Sequence, residues 1–318
     1  MKIEVFVLIF VLTVSVIAKE LNSSVLLEGT QTQSENAKEQ KTSRSDENSG
    51  KCGDNLSWVF NNETSTLSIS GSGSMLCCNS SYIPWSKFSN QVQNIKIQEG
   101  VSSIDQYAFK DFISLKTVNI TSNLTSIGII AFQNCKYLGS INIPSSVTSI
   151  GSKAFNGCES LTSITIPPRV TLIGDHTFNG CTRLKTVNIT SSNITSIGYD
   201  AFHNCKNLAS IAIPSSVALI GYGAFSGCES LTSITIPPDV TIINGDTFNG
   251  CQNLKTVRIT SNITSVGDSA FYDCKNLTSV IIPSSVTSIG IYAFYGCESL
   301  TSITIPSGVT SINGNTFR

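Results

Sequence analysis

The chain has 318 residues, 13% of them charged, and its 20 Lys and Arg nearly balance its 21 Asp and Glu, for a net charge of −1. Such a neutral surface argues against nucleic acid and anionic membranes as partners, because both require a basic face. Two histidines in the whole chain leave little material for acid–base catalysis or imidazole metal sites.

Met1 to Ala18 reads MKIEVFVLIFVLTVSVIA, with one lysine, an apolar run from Val5 to Val14 and small residues ending at Ala18. The run is too short for a permanent span and has the form of a cleaved secretory signal. This predicts a secreted or surface protein with no integral span once the signal is removed. Residues 19–50 are rich in Ser, Thr, Gln, Asn, Glu and Lys and contain no aromatic residue. A segment of that composition cannot offset its ordering entropy by burial, so it reads as a disordered polar spacer.

In 51–100 the pattern changes to Trp58, Phe60, Leu67, Ile69, Met75, Trp85, Ile95 and Ile97, in short alternating runs broken by Gly71, Gly73 and Pro84. Strands and turns are expected, forming a β-rich N-terminal cap that shields the open sheet edge of the region beyond residue 100. Both tryptophans fall here and read as core packing. In an oxidising compartment Cys52 can bridge to Cys77 or to Cys78, leaving one thiol over.

Residues 101–318 are periodic. Phe109, Phe132, Phe155, Phe178, Phe202, Phe225, Phe248, Phe271, Phe294 and Phe317 are 23 residues apart except for one step of 24. Around Phe155, for example, lie Val147, Ile150, Cys158, Leu161, Ile164 and Ile166, and the same spacing returns in each unit. A fixed period of this length marks a solenoid, in which a coil buries its apolar face only against its neighbours. The expectation is an α/β repeat solenoid, a horseshoe or ladder of about nine 23-residue coils. Each coil would carry a short strand LxxIxI, ended in most coils by a proline such as Pro167, and a second extended side Val147-x-x-Ile150. Gly151 would permit the turn into Ala154-Phe155, and a short helical turn would run from there to Leu161. Units also recur every third coil: SLKTVNI, RLKTVNI and NLKTVRI follow Phe109, Phe178 and Phe248.

Cys135, Cys158, Cys181, Cys205, Cys228, Cys251, Cys274 and Cys297 each stand three residues after the marker Phe; Phe112 takes that place in the first unit. Stacked side chains point the same way, which disfavours disulfides, and no CxxC pair or nearby histidine completes a metal site. These thiols read as small buried hydrophobes, and no cofactor is expected.

The units resemble the leucine-rich repeats of BspA-like surface proteins of bacteria and parasitic protists, which read IPxxVTxIGxxAFxxCxxLxxI. The resemblance covers Val101 to Phe317 and extends into the cap through Cys52-Gly53-Asp54-Asn55-Leu56-Ser57-Trp58, Gly71-Ser72-Gly73-Ser74-Met75 and Pro84-Trp85. The asparagine that comes after LxxLxL in ordinary leucine-rich repeats is missing. The resemblance implies a non-enzymatic extracellular protein of adhesion or recognition.

Residues that alternate with the buried Leu and Ile must face solvent. The candidate ligand face therefore consists of Lys116, Asn119, Ser163, Thr165, Lys185, Asn188, Ser233, Thr235, Lys255, Arg258, Ser302 and Thr304. It is polar and repetitive, suited to many weak hydrogen bonds with an extended extracellular glycan or protein, or simply to solubility. His176 and His203 occupy positions that hold Lys153 and Asn156 in another coil, so both read as solvated variable positions. Asp175 beside His176 is a sequence neighbour and completes no triad. Sequons at Asn22, Asn55, Asn62, Asn79, Asn119, Asn123, Asn188, Asn193, Asn262 and Asn276 are candidate glycosylation sites. The sequence stops at Phe317-Arg318 within a unit, and the competing expectation is a structural coat protein that self-associates through that last coil.

Overall fold

The structure is a computed structural model that describes residues 48–121, 123–260 and 262–318. The expected signal peptide, Asn22 and nearly all of the spacer lie outside the described residues.

Alternation drives the cap. In β2 (Leu56–Asn61) Leu56, Trp58 and Phe60 are buried, and in β3 (Thr66–Gly71) Leu67 and Ile69 are buried opposite them. The two strands pair antiparallel, with Trp58 facing Ile69, and β1 (Ser49–Lys51) pairs antiparallel on the outer side of β2. Pairing thus begins at Ser49. An outermost strand of three residues leaves little open edge for another chain to extend.

From the hairpin onward every pairing is parallel. β3 pairs with β5 (Asn94–Ile97), which pairs with Thr117–Ile120, and Thr117–Ile120 pairs with Ser140–Ile141. A second column on the other side of the coil starts with β4 (Gly73–Ser74) and β6 (Val101–Ile104) and continues through Ser126–Ile127 and Ser149–Ile150. The cap is therefore the first turn of the solenoid and shares both of its columns. Among the described residues eight turns carry a strand in both columns, from β5 with β6 to Ser279–Val280 with Ser288–Ile289. The period predicts about nine coils; residues 210–213 and 302–305 fit the LxxIxI pattern without forming a strand.

Among the described residues the segment from each marker Phe to the following Leu forms turns and no helix. The one helical element among the described residues is a 3-10 turn in the cap, Ser86–Phe88. The backbone around each marker Phe alternates instead: Lys153 and Gly157, which flank Phe155, have φ of 59° and 72°. This geometry divides the N–H groups between two tasks. Ala154, Asn156 and Cys158 donate within the turn, to Gly151, Lys153 and Phe155, while Lys153, Phe155 and Gly157 donate to Asp175, Thr177 and Asn179 of the next coil. A helix would use all of these donors internally; the alternating turn gives half of them to stacking. Residue types at these two places mostly obey the left-handed requirement, being Gly, Asn or Asp in many coils. Tyr107, Lys153, His176, Ser269 and Tyr292 depart from that set, and Ile130 is the β-branched residue among the departures, at φ 62°. Ile130→Gly should raise stability by about 1 kcal/mol, read as a higher urea midpoint at unchanged slope.

The core is built in columns. Phe132, Phe155, Phe178 and Phe202 are fully buried and stack ring on ring at 5.5, 5.7 and 5.4 Å, and the column continues to Phe294 and Phe317 at 5.4 Å. Trp85 opens it, 5.7 Å from Phe109 and nearly parallel to it. The Trp85 Nε1–H donates to the Ala108 carbonyl at 2.7 Å, the acceptor that a Phe N–H of the preceding coil serves elsewhere, as Phe109 N–H serves Ala131.

Each cysteine of the ladder is free, and its thiol donates to the carbonyl of the marker Phe one coil back: Cys158 to Phe132 at 3.2 Å, Cys181 to Phe155 at 3.2 Å, Cys251 to Phe225 at 3.1 Å. Each thiol thus adds a second, inter-coil donor to a carbonyl that already accepts a backbone N–H within its own turn, as Phe132 does from Cys135.

Candidate functional site

The strands of the first column turn one row of side chains outward at each of three positions. Parallel register places Lys96 beside Asn119, Thr165 beside Asn188, and Thr235 beside Arg258. Two positions earlier Ser163 aligns with Thr186 and Ser233 with Thr256. All twelve candidate residues, Lys116 to Thr304, are exposed, as alternation requires. They do not converge on a cleft. Neighbouring coils present equivalent side chains at about the 4.8 Å strand spacing, and Lys116, Lys185 and Lys255, three coils apart, are separated by about 14 Å. Lys116 Nζ donates to Gln93 Oε1 at 2.9 Å; Thr232 and Thr278 hydroxyls donate to the preceding coil's carbonyls of Ala209 and Lys255.

The regular face is interrupted at residues 210–213, where a shallow hollow of about 350 Å³ lies between Ser210, Ala212, Ser233 and Thr235. Farther along, Ile281 stands in the row of Thr235 and Arg258 and is 84% exposed.

The nine sequon asparagines within the described residues are all exposed. Asn119 and Asn188 lie within the strand rows themselves, and Asn276 beside them donates to the carbonyl of Gln252 at 2.9 Å. In the cap Cys52 is bonded to Cys77, with their Cα atoms 4.8 Å apart, and Cys78 remains free with its sulfur 3.4 Å from that of Cys77.

The two histidines are not solvated singletons. Half-buried and on successive coils, they are joined by Asn179, whose Nδ2 lies 3.3 Å from His176 Nδ1 and 3.2 Å from His203 Nδ1. His176 also lies 3.7 Å from Asp200. Burial pushes the Asp200 carboxyl up, and His203 and His176 partly oppose this. The sequence hid this grouping because His176 and His203 lie 27 residues apart; the 24-residue step of this coil sets Asp200 beside His176 and His203 beside Asn179. The cluster contains no nucleophile, and no set of three or more His, Cys, Asp or Glu among the described residues could hold a metal ion.

Burial raises the thiols of the ladder far above the ordinary range, and those of Cys78, Cys251 and Cys297 to about 12. A thiolate is the reactive form, so these cysteines are inert in the fold. Ellman's reagent at pH 8 should label almost none of the native protein's thiols, and nine after unfolding without reductant, since two of the eleven cysteines form the disulfide. Rapid native labelling of several thiols would contradict the ladder.

Several leucine-rich repeat proteins of solved structure are similar to this chain. One is a leucine rich cell surface protein from Faecalibacterium prausnitzii A2-165, 27% identical, covering 83% of this chain and 90% of its own, with a TM-score of 0.49. Another is a leucine-rich repeat protein from Eubacterium ventriosum ATCC 27560, 22% identical, covering 81% and 84%, with a TM-score of 0.48. No curated protein matches the chain. Among the described residues no helix is long and apolar enough to cross a membrane. The family model of the BspA type leucine rich repeat region matches residues 81–209 and 195–318, in six copies. With more than half of its length so matched, and with the columns described above, the chain belongs to the BspA-type leucine-rich repeat family.

Proposed function

We propose that this protein is a non-enzymatic, secreted or cell-surface protein that recognises host or matrix glycoproteins or glycans through the strand face of its solenoid. The observation that carries the reading is the parallel register of exposed Asn119, Thr165, Asn188, Thr235 and Arg258 with their partners in adjacent coils. Hydroxyl, amide and cationic groups repeat there at strand spacing on a rigid support, which matches an extended partner with a repeating chemistry of its own. Each contact contributes about 1 kcal/mol, so useful affinity has to accumulate over many coils. The signal-like first 18 residues and the Cys52–Cys77 bond both fit an oxidising, extracellular setting. Exposed asparagines away from the rows, such as Asn62, Asn79 and Asn193, are where glycans would add solubility without covering that face.

The test is binding of the glycosylated chain, Lys19 to Arg318, to host cells and a panel of matrix glycoproteins, beside a variant with Lys116, Lys185 and Lys255 changed to Ala. Saturable binding that weakens about tenfold in the variant is expected. A folded monomer that binds nothing overturns the reading, and assembly with rising concentration would instead favour a structural coat.

A further inference from the structure

We infer that the flank of the C-terminal coils carries a sugar site, built by Tyr272, Tyr292 and Tyr295 with Arg318, that takes a carboxylate-bearing pyranose. These residues, with Asn315, line a shallow cavity of about 400 Å³ on the turn side of the solenoid, away from the strand face.

The repeat itself makes the cluster conspicuous. Tyr272 and Tyr295 stand one residue after their marker Phe, where other coils hold Asn156, Asn179, Ser226 and Asn249; Tyr292 stands two before Phe294, where others hold Lys153, Asp246 and Ser269. Tyr272 and Tyr295 stack with ring centroids 5.1 Å apart and planes 5° from parallel. Tyr292 stands at 75° to Tyr295 with centroids 5.7 Å apart, so the three rings form a corner with one floor and one wall. Asn315 Nδ2 lies 3.5 Å from the Tyr292 hydroxyl. Tyr292 holds φ 59°, the left-handed conformation that Lys153 and Ser269 also take at this place of the repeat. It is 39% exposed.

A pyranose ring is the ligand that such a corner fits. Its polarised C–H face lies on the negative face of an aromatic ring, while its hydroxyls reach the phenol and amide groups at the rim. The cavity is within the range of small-ligand sites. Arg318 is the one charged residue among those lining it, and its planar guanidinium can donate two parallel hydrogen bonds to a carboxylate. A uronic acid or a sialic acid offers that carboxylate beside a pyranose ring.

The site lies apart from Lys116, Lys185 and Lys255, so it stands or falls independently of the strand-face reading. The experiment is a titration of the full chain with sodium glucuronate, sialic acid and methyl glucoside, monitored by saturation-transfer NMR. Tyr272→Asn with Tyr295→Asn restores the residue that other coils carry, so this variant folds. The expected result is saturable binding of one or both acidic sugars, weakened at least tenfold in the double variant. Arg318→Gln should lose the preference for acidic over neutral sugar, and the lysine-to-alanine variant should bind unchanged. Binding of neither acidic sugar, or equal binding by the folded double variant, overturns the proposal.

Discussion

Trp85→Ala should lower the free energy of unfolding by about 4 kcal/mol, while Trp85→Phe should cost about 1–2 kcal/mol. Trp85 performs two functions that these substitutions separate. Its ring, fully buried, begins the aromatic column on Phe109 and also meets Trp58 edge-on at 6.0 Å. Alanine removes that surface and leaves a void between the cap and the first repeat. Phenylalanine keeps a ring for Phe109 but leaves the buried Ala108 carbonyl without the indole N–H that donates to it. Stability in a stacked array passes between neighbours, so a defect at the first interface should release the cap without melting distant coils. Hydrogen exchange in Trp85→Ala should therefore accelerate at Phe109 and Phe132 and remain slow at Phe225. A Trp85→Phe cost near zero in urea denaturation would show that the indole hydrogen bond stabilises nothing, and equal costs for the two variants would show that the ring's packing does not.

Most of the fold is legible in the periodicity. The 23-residue spacing determines which side chains stack, and burial of Leu161, Ile164 and Ile166 comes from the period-2 alternation within LxxIxI. The turn around Phe155 escapes such reading because Ala, Phe, Cys and Leu at close spacing satisfy a helical pattern as well as a turn. What decides against the helix is non-local: Lys153, Phe155 and Gly157 donate to the next coil, and such inter-coil bonds leave no mark within one unit. The same limit hides the sites. Exposed strand residues can be found by alternation, but neither the His176–Asn179–His203 grouping nor the tyrosine corner is a sequence motif. Each arises from residues about one repeat apart, brought together by the stacking. The thiols sit between these extremes: their burial is legible from position, their hydrogen bonds to Phe carbonyls are not.

Gly151→Ala should destabilise the protein by about 3 kcal/mol, whereas Gly174→Ala, at the equivalent place one coil later, should change stability by less than about 1 kcal/mol. Conformational freedom does not explain the difference, since neither residue has a left-handed φ. A Cβ on Gly151 would lie 2.5 Å from the Ile129 nitrogen and 2.7 Å from the Gly128 carbonyl carbon, both backbone atoms of the preceding coil. On Gly174 it would meet Ser152, with Oγ nearest at 3.1 Å. The columns supply the reason. Ser149–Ile150 pairs with Ser126–Ile127, and Gly151 N–H donates to the Ile127 carbonyl at 2.9 Å, so the two coils are drawn together there. Leu172–Ile173 has no such pairing with Ser149–Ile150, because the second column breaks between these coils. It breaks again between Leu219–Ile220 and Ile242–Ile243, and there the chain carries Asn244 in the glycine place, with its side chain donating to the Ile220 carbonyl at 2.6 Å. Among the coils from Ser126–Ile127 onward the molecule thus contains its own substitution experiment: the glycine place that Asn244 takes lies where the ladder opens. If Gly151→Ala and Gly174→Ala cost the same in urea titrations, the close approach is not what selects glycine. A difference of the expected size would tie the three-coil period in the sequence to the places where the solenoid's second column is cut.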